Sequence, residues 1–202
     1  MSSGYKIIEL TDLLEAQGEH WVKDHLSHFS CHLNRDIENF LRSSSIVFSQ
    51  QALARTNLVY TSYQGENVLV GYFTISNKIF LIKKDKVSRN TWDRLKKFGT
   101  YISETRSLNI SAPLIAQLGK NYTNGYNRLI TGKELLSMAL DRVRVAQSIV
   151  GGKVVYLECE DKPFLLQFYG QNGFVEFDSR PLDRDETNDM VGTHMIQMLR
   201  YG

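Results

Sequence analysis

Apolar and polar residues alternate over residues 56–62 and 68–76, which are rich in Val, Tyr, Phe, Thr and Ile. A period of two is typical of a strand with one buried face. Residues 63–67, with the sequence YQGEN, have the composition of a turn, so the two segments predict an antiparallel hairpin. Shorter apolar segments predict further strands at residues 5–10, 78–82, 114–118, 153–160, 174–177 and 192–200.

Helical periodicity marks four other segments, residues 34–41, 91–102, 132–150 and 163–172. The longest places Leu135, Ala139 and Val143 on one face and ends at a Gly-Gly pair. Near the N-terminus, we expect Thr11 or Asp12 to cap a helix that Gly18 weakens. Asp12 and Glu15 have the spacing of a capping box.

The order of these elements favours a mixed α/β sheet of about six to seven strands flanked by helices, in a single domain of residues 1–202. A hairpin precedes a strand–helix–strand unit, which would add parallel pairing to an antiparallel start. Residues 83–109 are polar and predict an insertion between core strands. Residues 179–189 predict a charged loop.

Composition narrows the class of protein further. The 24 Lys and Arg residues nearly balance 22 Asp and Glu residues, so the net charge gives no global argument for a nucleic-acid or membrane partner. Two distant cysteines, Cys31 and Cys159, predict reduced thiols rather than a disulfide framework. With no signal peptide and no long apolar segment visible, we expect a cytoplasmic protein with no membrane partner.

The region around residues 113–140 holds the strongest chemical signal. An apolar strand is followed by a loop of small and polar residues and then by an amphipathic helix that opens at Gly132. The start of a helix carries free backbone N–H groups and the positive end of the helix dipole. The sequence therefore predicts an anion site there.

One motif resembles a known family. Phe168-Tyr169-Gly-Gln-Asn-Gly-Phe174 is similar to the late FYxxxGF signature of the GNAT acetyltransferase superfamily, and residues 55–202 follow that fold's order of elements. The family's phosphate loop reads Q/R-x-x-G-x-G/A. With its last glycine at Gly132, Asn127 stands at the Q/R position and Ile130 at the first glycine, so only the last position matches.

A second resemblance is to the GNAT toxins that acetylate aminoacyl-tRNA. It rests on Phe29-Ser-Cys-His-Leu-Asn-Arg-Asp-Ile-Glu-Asn-Phe-Leu41, Ala54-Arg-Thr56, Val70-Gly-Tyr-Phe-Thr-Ile-Ser76 and Pro113-Leu-Ile-Ala-Gln-Leu118. Gln117 stands where those toxins have Arg, and Gly119-Lys-Asn121 replaces Ala-Val-Asp.

The GNAT resemblance implies acetyl-CoA as co-substrate and assigns roles to particular residues. Tyr169 would be the acid that protonates the departing thiolate, because a phenol with a pKa near 10 is protonated at neutral pH. The backbone of Leu118, Gly119 and Lys120 would pair with the pantetheine arm. The pyrophosphate would bind at the start of the helix, among Asn127, Arg128, Leu129, Ile130, Thr131, Gly132 and Lys133.

Other candidate groups stay open in the sequence. No general base stands out, although Glu104, Glu158 and Glu160 are candidates. His28, His32 and Cys31 lie close in sequence, but their spacing does not define a metal site, and no metal is expected. Residues 83–109 carry eight basic and three acidic residues, which would suit either a polyanion such as tRNA or a solvated surface.

These observations predict an acetyl-CoA-dependent N-acetyltransferase that acts by direct attack of a primary amine. The acceptor would be a small molecule or a protein. One alternative is a toxin that acetylates aminoacyl-tRNA and has an antitoxin partner, and another is a non-catalytic module that binds acyl-CoA or a partner protein. We also expect a homodimer.

Overall fold

The computed structural model describes residues 4–183 and 192–201. This part of the chain contains eight strands: β1 (Tyr5–Glu9), β2 (Arg55–Tyr63), β3 (Glu66–Lys83), β4 (Gly99–Ile102), β5 (Ser107–Lys120), β6 (Val154–Glu160), β7 (Val175–Pro181) and β8 (His194–Tyr201). Its α-helices are α1 (Leu10–Gln17), α2 (Glu19–Ser27), α3 (Arg35–Asn39), α4 (Ser45–Gln50), α5 (Arg89–Leu95), α6 (Gly132–Val150) and α7 (Pro163–Gln171).

The strands form a mixed sheet in the order β1-β2-β3-β5-β6-β8-β7, with β4 paired to β5. The pairings β1–β2, β2–β3, β4–β5, β6–β8 and β7–β8 are antiparallel, whereas β5 and β6 are parallel at Leu114–Tyr156 and Ile115–Leu157. The predicted mixed α/β class is therefore confirmed, as is the hairpin, which is formed by β2 and β3. The described part of the chain has eight strands rather than the six to seven expected in the sheet, and the short β4 was not among the predicted strands.

The chain divides into two compact units. The first comprises Met1–Ser76 and Ala116–Leu140, and the second comprises Asn77–Ile115 and Asp141–Gly202. No helix within residues 4–183 and 192–201 combines the length and apolar character that a bilayer crossing requires.

The first unit buries its apolar residues between strands β1–β3 and the N-terminal helices. Its core includes Leu10, Val22, Leu26, Phe29, Leu41, Leu58 and Tyr72, each without solvent exposure. The predicted helix at residues 34–41 begins as expected, because the Asn34 side chain accepts a hydrogen bond from the Ile37 N–H group at 3.1 Å. After five residues it changes to a π-helical turn, Phe40–Ser44, which leads into α4.

The predicted N-terminal capping box is wrong. Helix α1 follows β1 directly at Leu10, its N-cap is Glu9, and no side chain caps it. Asp12 and Glu15 already lie inside the helix. Gly18, at φ +80°, ends α1 and precedes α2. The single helix that we expected Gly18 to weaken is therefore two helices.

The second unit corrects three predicted boundaries. Residues 78–82 are not a separate strand but the end of β3, because burial still alternates there, with Phe80 and Ile82 buried and Ile79 and Leu81 exposed. The predicted helix at residues 91–102 is wrong in its second half. Ser88 caps α5, which ends at Leu95, and Gly99 begins strand β4 against Ile110.

Strand β5 covers Ser107–Lys120, whereas the sequence predicted only residues 114–118. Its first half packs Leu108, Ile110 and Ala112 into a core with Trp92 and Tyr156. The strands predicted at residues 174–177 and 192–200 are observed as β7 and β8. Strand β7 extends to Pro181, into the predicted charged loop, and residues 184–189 of that loop lie outside the described part of the chain.

Candidate active site

Helix α6 begins with a capping box formed by Thr131 and Glu134. The Glu134 N–H group donates to Thr131 Oγ1 at 3.1 Å, and Glu134 Oε2 accepts from the Thr131 N–H group at 2.8 Å and from its hydroxyl at 2.7 Å. The signal for this cap, Thr-x-x-Glu, is present in the sequence, although Asp12 and Glu15 were the residues predicted to form a capping box. The cap fixes where the positive end of the α6 dipole lies.

Around the start of α6, two N–H groups and two cationic side chains lack partners among the described residues. The N–H groups of Gly132 and Lys133 have no acceptor among the described residues. Arg128 and Lys133 are exposed, and within residues 4–183 and 192–201 neither side chain forms an ion pair. Glu134 brings a negative charge to the same end and occupies the Thr131 N–H group, so the donors available to an anion are fewer than the predicted range of 127–133.

The loop before α6 is held from two sides within the first unit. Lys120 Nζ donates to the Asn127 carbonyl at 3.1 Å, and the Tyr5 hydroxyl donates to the Leu129 carbonyl at 2.8 Å. Ile130 is 2% exposed and anchors the end of the loop in the core. Because both carbonyls are occupied by donors, the positions of Asn127, Arg128 and Leu129 are defined by contacts rather than by the loop sequence alone.

The end of β5 approaches β3 very closely. A Cβ atom on Gly71 would lie 2.8 Å from the Gly119 carbonyl oxygen, and a Cβ atom on Gly119 would lie 2.3 Å from Ile37 Cγ2. The carbonyl group of Gly119 therefore faces β3. Since backbone groups alternate along a strand, the N–H and C=O groups of Leu118 and Lys120 point to the other edge of β5.

Asn121 joins the end of β5 to its neighbours, a role that its sequence position, where the toxins have Asp, did not predict. Its N–H group donates to the Val70 carbonyl at 2.8 Å, and its side-chain amide donates to the Leu69 carbonyl at 2.9 Å. Its Oδ1 atom accepts from the N–H groups of Ser30 at 3.0 Å and Thr123 at 3.1 Å. Nothing in the local sequence distinguishes this buried asparagine from a surface loop residue.

Tyr169 lies in the second unit, on helix α7. Its side chain is 9% exposed and packs against Phe168 and Phe174. Gly173, at φ +83°, reverses the chain so that the Phe174 N–H group donates to the Tyr169 carbonyl at 3.1 Å. The Tyr169 hydroxyl forms no hydrogen bond with any described residue, and burial raises its pKa well above 10, with a further contribution from Cys159. The phenol is therefore protonated at neutral pH.

The three candidate bases differ in their surroundings. Glu104 is exposed, and Glu160 forms an ion pair with Lys162 at 2.9 Å. Glu158 is almost buried and contacts Arg180 Nη2 at 2.6 Å and Lys78 Nζ at 3.4 Å. Burial alone would raise the pKa of Glu158, but hydrogen bonds from Arg180, Tyr156 and Gln197 and the charge of Lys78 outweigh it and lower the pKa to about 2. A carboxylate of such low basicity is a poor proton acceptor.

The two cysteines are buried, and His32 packs against an aromatic ring. Cys31 and Cys159 are both buried, and burial raises the pKa of each thiol, that of Cys159 to about 12. His32 stacks edge-on against Tyr122 at 4.7 Å. In the part of the chain that the structure describes, no group of His, Cys, Asp and Glu residues is placed to hold a metal ion.

The architecture matches solved structures of bacterial toxins. AtaT complexed with acetyl-methionyl-tRNAfMet has a TM-score of 0.62 at 16% identity, covering 95% of this chain and 93% of that chain. A tyrosine-to-phenylalanine mutant of KacT has a TM-score of 0.62 at 15% identity, covering 96% and 94%. A tyrosine-to-phenylalanine mutant of the AtaT toxin, bound to the C-terminus of the antitoxin AtaR and to acetyl-CoA, has a TM-score of 0.58 at 15% identity. The match covers 98% of this chain and 94% of that chain.

No protein-family model and no curated protein matches this sequence. The structural similarity shows that the chain has the GNAT fold, as the late motif predicted. The solved structures that share this fold include those of the AtaT and KacT toxins. The residues predicted for the anion site and the pantetheine all lie in the first unit, whereas Tyr169 lies in the second.

Proposed function

We propose that this protein is an N-acetyltransferase that transfers the acetyl group of acetyl-CoA to the α-amine of an aminoacyl-tRNA. The observation that carries the proposal is Tyr169, a nearly buried tyrosine within an FYxxxGF motif whose hydroxyl has no hydrogen-bond partner among the described residues. The hydroxyl is not among the fully buried polar atoms that lack a partner, so its oxygen reaches solvent and is available to a ligand, while the ring is held in the core.

The donor would be held by residues of the first unit. The free N–H groups of Gly132 and Lys133 suit the pyrophosphate, and the unpaired side chains of Arg128 and Lys133 add positive charge. Asn127, Leu129, Ile130 and Thr131 shape the loop. The outward backbone groups of Leu118 and Lys120 suit the amides of the pantetheine arm, and Gly119 allows β5 to lie close to β3. We expect no metal to take part.

The reaction needs one proton donor on the protein. The neutral amine of the acceptor attacks the thioester carbonyl, the C–N bond forms, and the C–S bond breaks. Tyr169 gives its phenolic proton to the leaving thiolate, and the proton lost by the new amide returns to Tyr169 through solvent. Its raised pKa keeps the phenol protonated at neutral pH before the donor binds.

The choice of acceptor rests on the structural neighbours. AtaT has been solved with an acetylated methionyl-tRNA and also with the antitoxin AtaR. We therefore place aminoacyl-tRNA ahead of a small-molecule or protein amine, and we propose a small antitoxin as a partner of this chain. The homodimer expected from the sequence remains a prediction, and sedimentation of the purified protein tests it.

The test measures coenzyme A release and acetylation of charged tRNA by the wild type and by Tyr169→Phe. We expect titration calorimetry to detect acetyl-CoA binding to both proteins, and turnover of the variant to fall roughly 10²- to 10⁴-fold. Tyr72→Phe is the matched control, because its hydroxyl donates to the Ile37 carbonyl at 2.6 Å and its loss should reduce stability but not turnover.

Each remaining outcome points to another function. Coenzyme A release with simple amines but not with charged tRNA would support a small-molecule or protein acceptor. Binding of acetyl-CoA without release of coenzyme A in the presence of any amine would support the non-catalytic module. An absence of acetyl-CoA binding at millimolar concentration would refute the proposal as a whole.

A further inference from the structure

Positive charge is concentrated in one part of the second unit. Residues 83–109 contain eight basic and three acidic side chains, a net charge of +5 in a chain whose net charge is +2, so the rest of the chain is net negative. In the structure this segment consists of the end of β3, helix α5, strand β4 and the start of β5. The eight cations are all exposed.

Half of these cations already contact an acidic or an aromatic side chain. Lys86 contacts Asp178 at 3.0 Å, Lys96 contacts Asp93 at 3.1 Å, and Arg89 lies 3.9 Å from the same Asp93. The guanidinium of Arg94 lies 4.0 Å from the centre of the Tyr201 ring. Lys83, Lys84, Lys97 and Arg106 form no ion pair with any residue that the structure describes.

Three of the four free cations lie together where β3 ends and β5 begins. The Lys84 N–H group donates to the Arg106 carbonyl at 3.2 Å, which brings Lys83, Lys84 and Arg106 to one end of this strand pair. Asp85 and Glu104 are close in sequence, but among the described residues neither carboxylate forms an ion pair. Three uncompensated like charges repel one another, and an anionic ligand would relieve that repulsion.

Arg106 has a second unusual feature. It is a non-glycine residue at φ +50°, in the turn where its N–H group donates to the Ser103 carbonyl at 3.3 Å. A glycine would adopt this conformation at lower cost. Strand β4, just before the turn, presents Tyr101, whose ring is 53% exposed and rests edge-on against the buried Trp92 at 6.2 Å.

We infer that Lys83, Lys84 and Arg106 form a surface that binds the phosphate backbone of tRNA, with Tyr101 beside it as a stacking platform for an unpaired base. This inference rests on the proposed function and names the surface that holds its acceptor. Clustered cations supply the salt-dependent affinity for a phosphate backbone. An exposed aromatic ring next to them is characteristic of RNA binding, because RNA offers unstacked bases that duplex DNA does not.

The test uses deacylated tRNA, so that binding is measured without acetyl transfer. The variant combines Lys83→Gln, Lys84→Gln and Arg106→Gly; the glycine relieves the backbone at φ +50°, so loss of binding is not a folding defect. The matched control, Lys6→Gln with Arg142→Gln and Lys153→Gln, removes the same charge from exposed residues that form no ion pairs within the described part of the chain. Thermal melts check that both proteins are folded.

We expect the variant to bind tRNA at least about tenfold more weakly at physiological salt, and its plot of log affinity against log salt to be shallower by roughly two. The control should bind like the wild type. Tyr101→Ala should weaken binding severalfold without changing the salt slope. Three results would overturn the inference. The variant could bind tRNA as tightly as the wild type, or the control could lose as much affinity as the variant. Duplex DNA could also bind the wild type as tightly as tRNA does and be weakened as much by the same substitutions.

The same proteins separate this inference from the proposed function. If the wild type binds tRNA through this surface but never releases coenzyme A, the proposed acetyltransferase activity is refuted and the proposed tRNA surface stands. Conversely, a wild type that acetylates charged tRNA, with a variant whose KM for that tRNA is unchanged, would refute the surface and leave the acetyltransferase intact.

Discussion

At the scale of single residues, three buried tyrosines show how a hydroxyl is used. Tyr72 donates to the Ile37 carbonyl, and Tyr156 contacts Glu158 and Gln197. The Tyr169 hydroxyl has no partner of this kind among the described residues. The fully buried polar oxygens that lack a partner in the described residues are those of Ser49 and Tyr201, so the Tyr169 oxygen still reaches solvent. A ring held in the core with a hydroxyl open to a ligand supports the proposed role of Tyr169 as a proton donor.

Glu158 allows a prediction about pH. Replacing it by Gln removes the buried carboxylate that Arg180 and Lys78 contact, and we expect a loss of unfolding free energy on the order of 3 kcal/mol at pH 7. The folded pKa is lowered to about 2 from about 4.5, so the stabilisation is fully present above about pH 4.5 and is lost as the pH falls towards 2.

Urea unfolding at pH 7 and at pH 3 measures the effect. The difference between the wild type and Glu158→Gln should shrink at the lower pH, because the variant has no carboxylate to protonate at this position. Glu104→Gln, at an exposed site, is the control and should match the wild type. A difference that is the same at both pH values would show that Glu158 acts through packing and not through its charge.

At the scale of secondary-structure elements, the contact between β5 and α3 can be tested by a double-mutant cycle. Gly119→Ala places a methyl group 2.3 Å from Ile37 Cγ2, and a β-branched side chain has little rotamer freedom to move away. We expect a loss of about 1–3 kcal/mol in unfolding free energy. In the background of Ile37→Ala, which removes that methyl group, the same substitution should cost at least about 1 kcal/mol less.

Gly170→Ala provides the matched control for this cycle. Gly170 lies in helix α7, and a Cβ atom there would meet nothing within 4 Å, so alanine should leave stability unchanged or raise it by about 0.5–1 kcal/mol. Chemical denaturation of the four proteins of the cycle and of this control gives the values. Equal costs of Gly119→Ala in both backgrounds would mean that Ile37 is not the obstacle.

The elements that the sequence predicted best are those whose pattern is long and uninterrupted. Helix α6 has the predicted bounds of residues 132–150, and β2–β3 form the predicted hairpin. Predictions failed where polar composition concealed a strand. Strand β4 and the first residues of β5 lie in the segment 83–109 that was predicted to be an insertion, because polar residues occupy outward positions there while Leu108 faces the core.

At the scale of the whole molecule, the fold was more predictable than the phosphate loop. The chain shares only 15–18% identity with the toxin structures that it resembles, with TM-scores of 0.54–0.62. Many sequences can preserve a buried apolar pattern, and this chain preserves it together with the FYxxxGF motif. A phosphate loop depends on backbone N–H directions, and here only Gly132 matches the family pattern. The loop is shaped by contacts that its own sequence does not reveal. Tyr5 is distant in sequence, and Lys120 and Asn121 have no distinctive local pattern.

The two thiols report on the integrity of the two units, because Cys31 lies in the first and Cys159 in the second. Burial raises the pKa of both, that of Cys159 to about 12, so at pH 8 only roughly one Cys159 thiol in 10⁴ is a thiolate. We expect no reaction of the folded protein with a thiol reagent over minutes at pH 8. Both thiols should react once the protein is unfolded in about 6 M guanidinium chloride. Cys31→Ala and Cys159→Ala assign each signal to its unit. Rapid labelling of one thiol in the native protein would show that its unit opens while the other stays folded, and would contradict the expected protection.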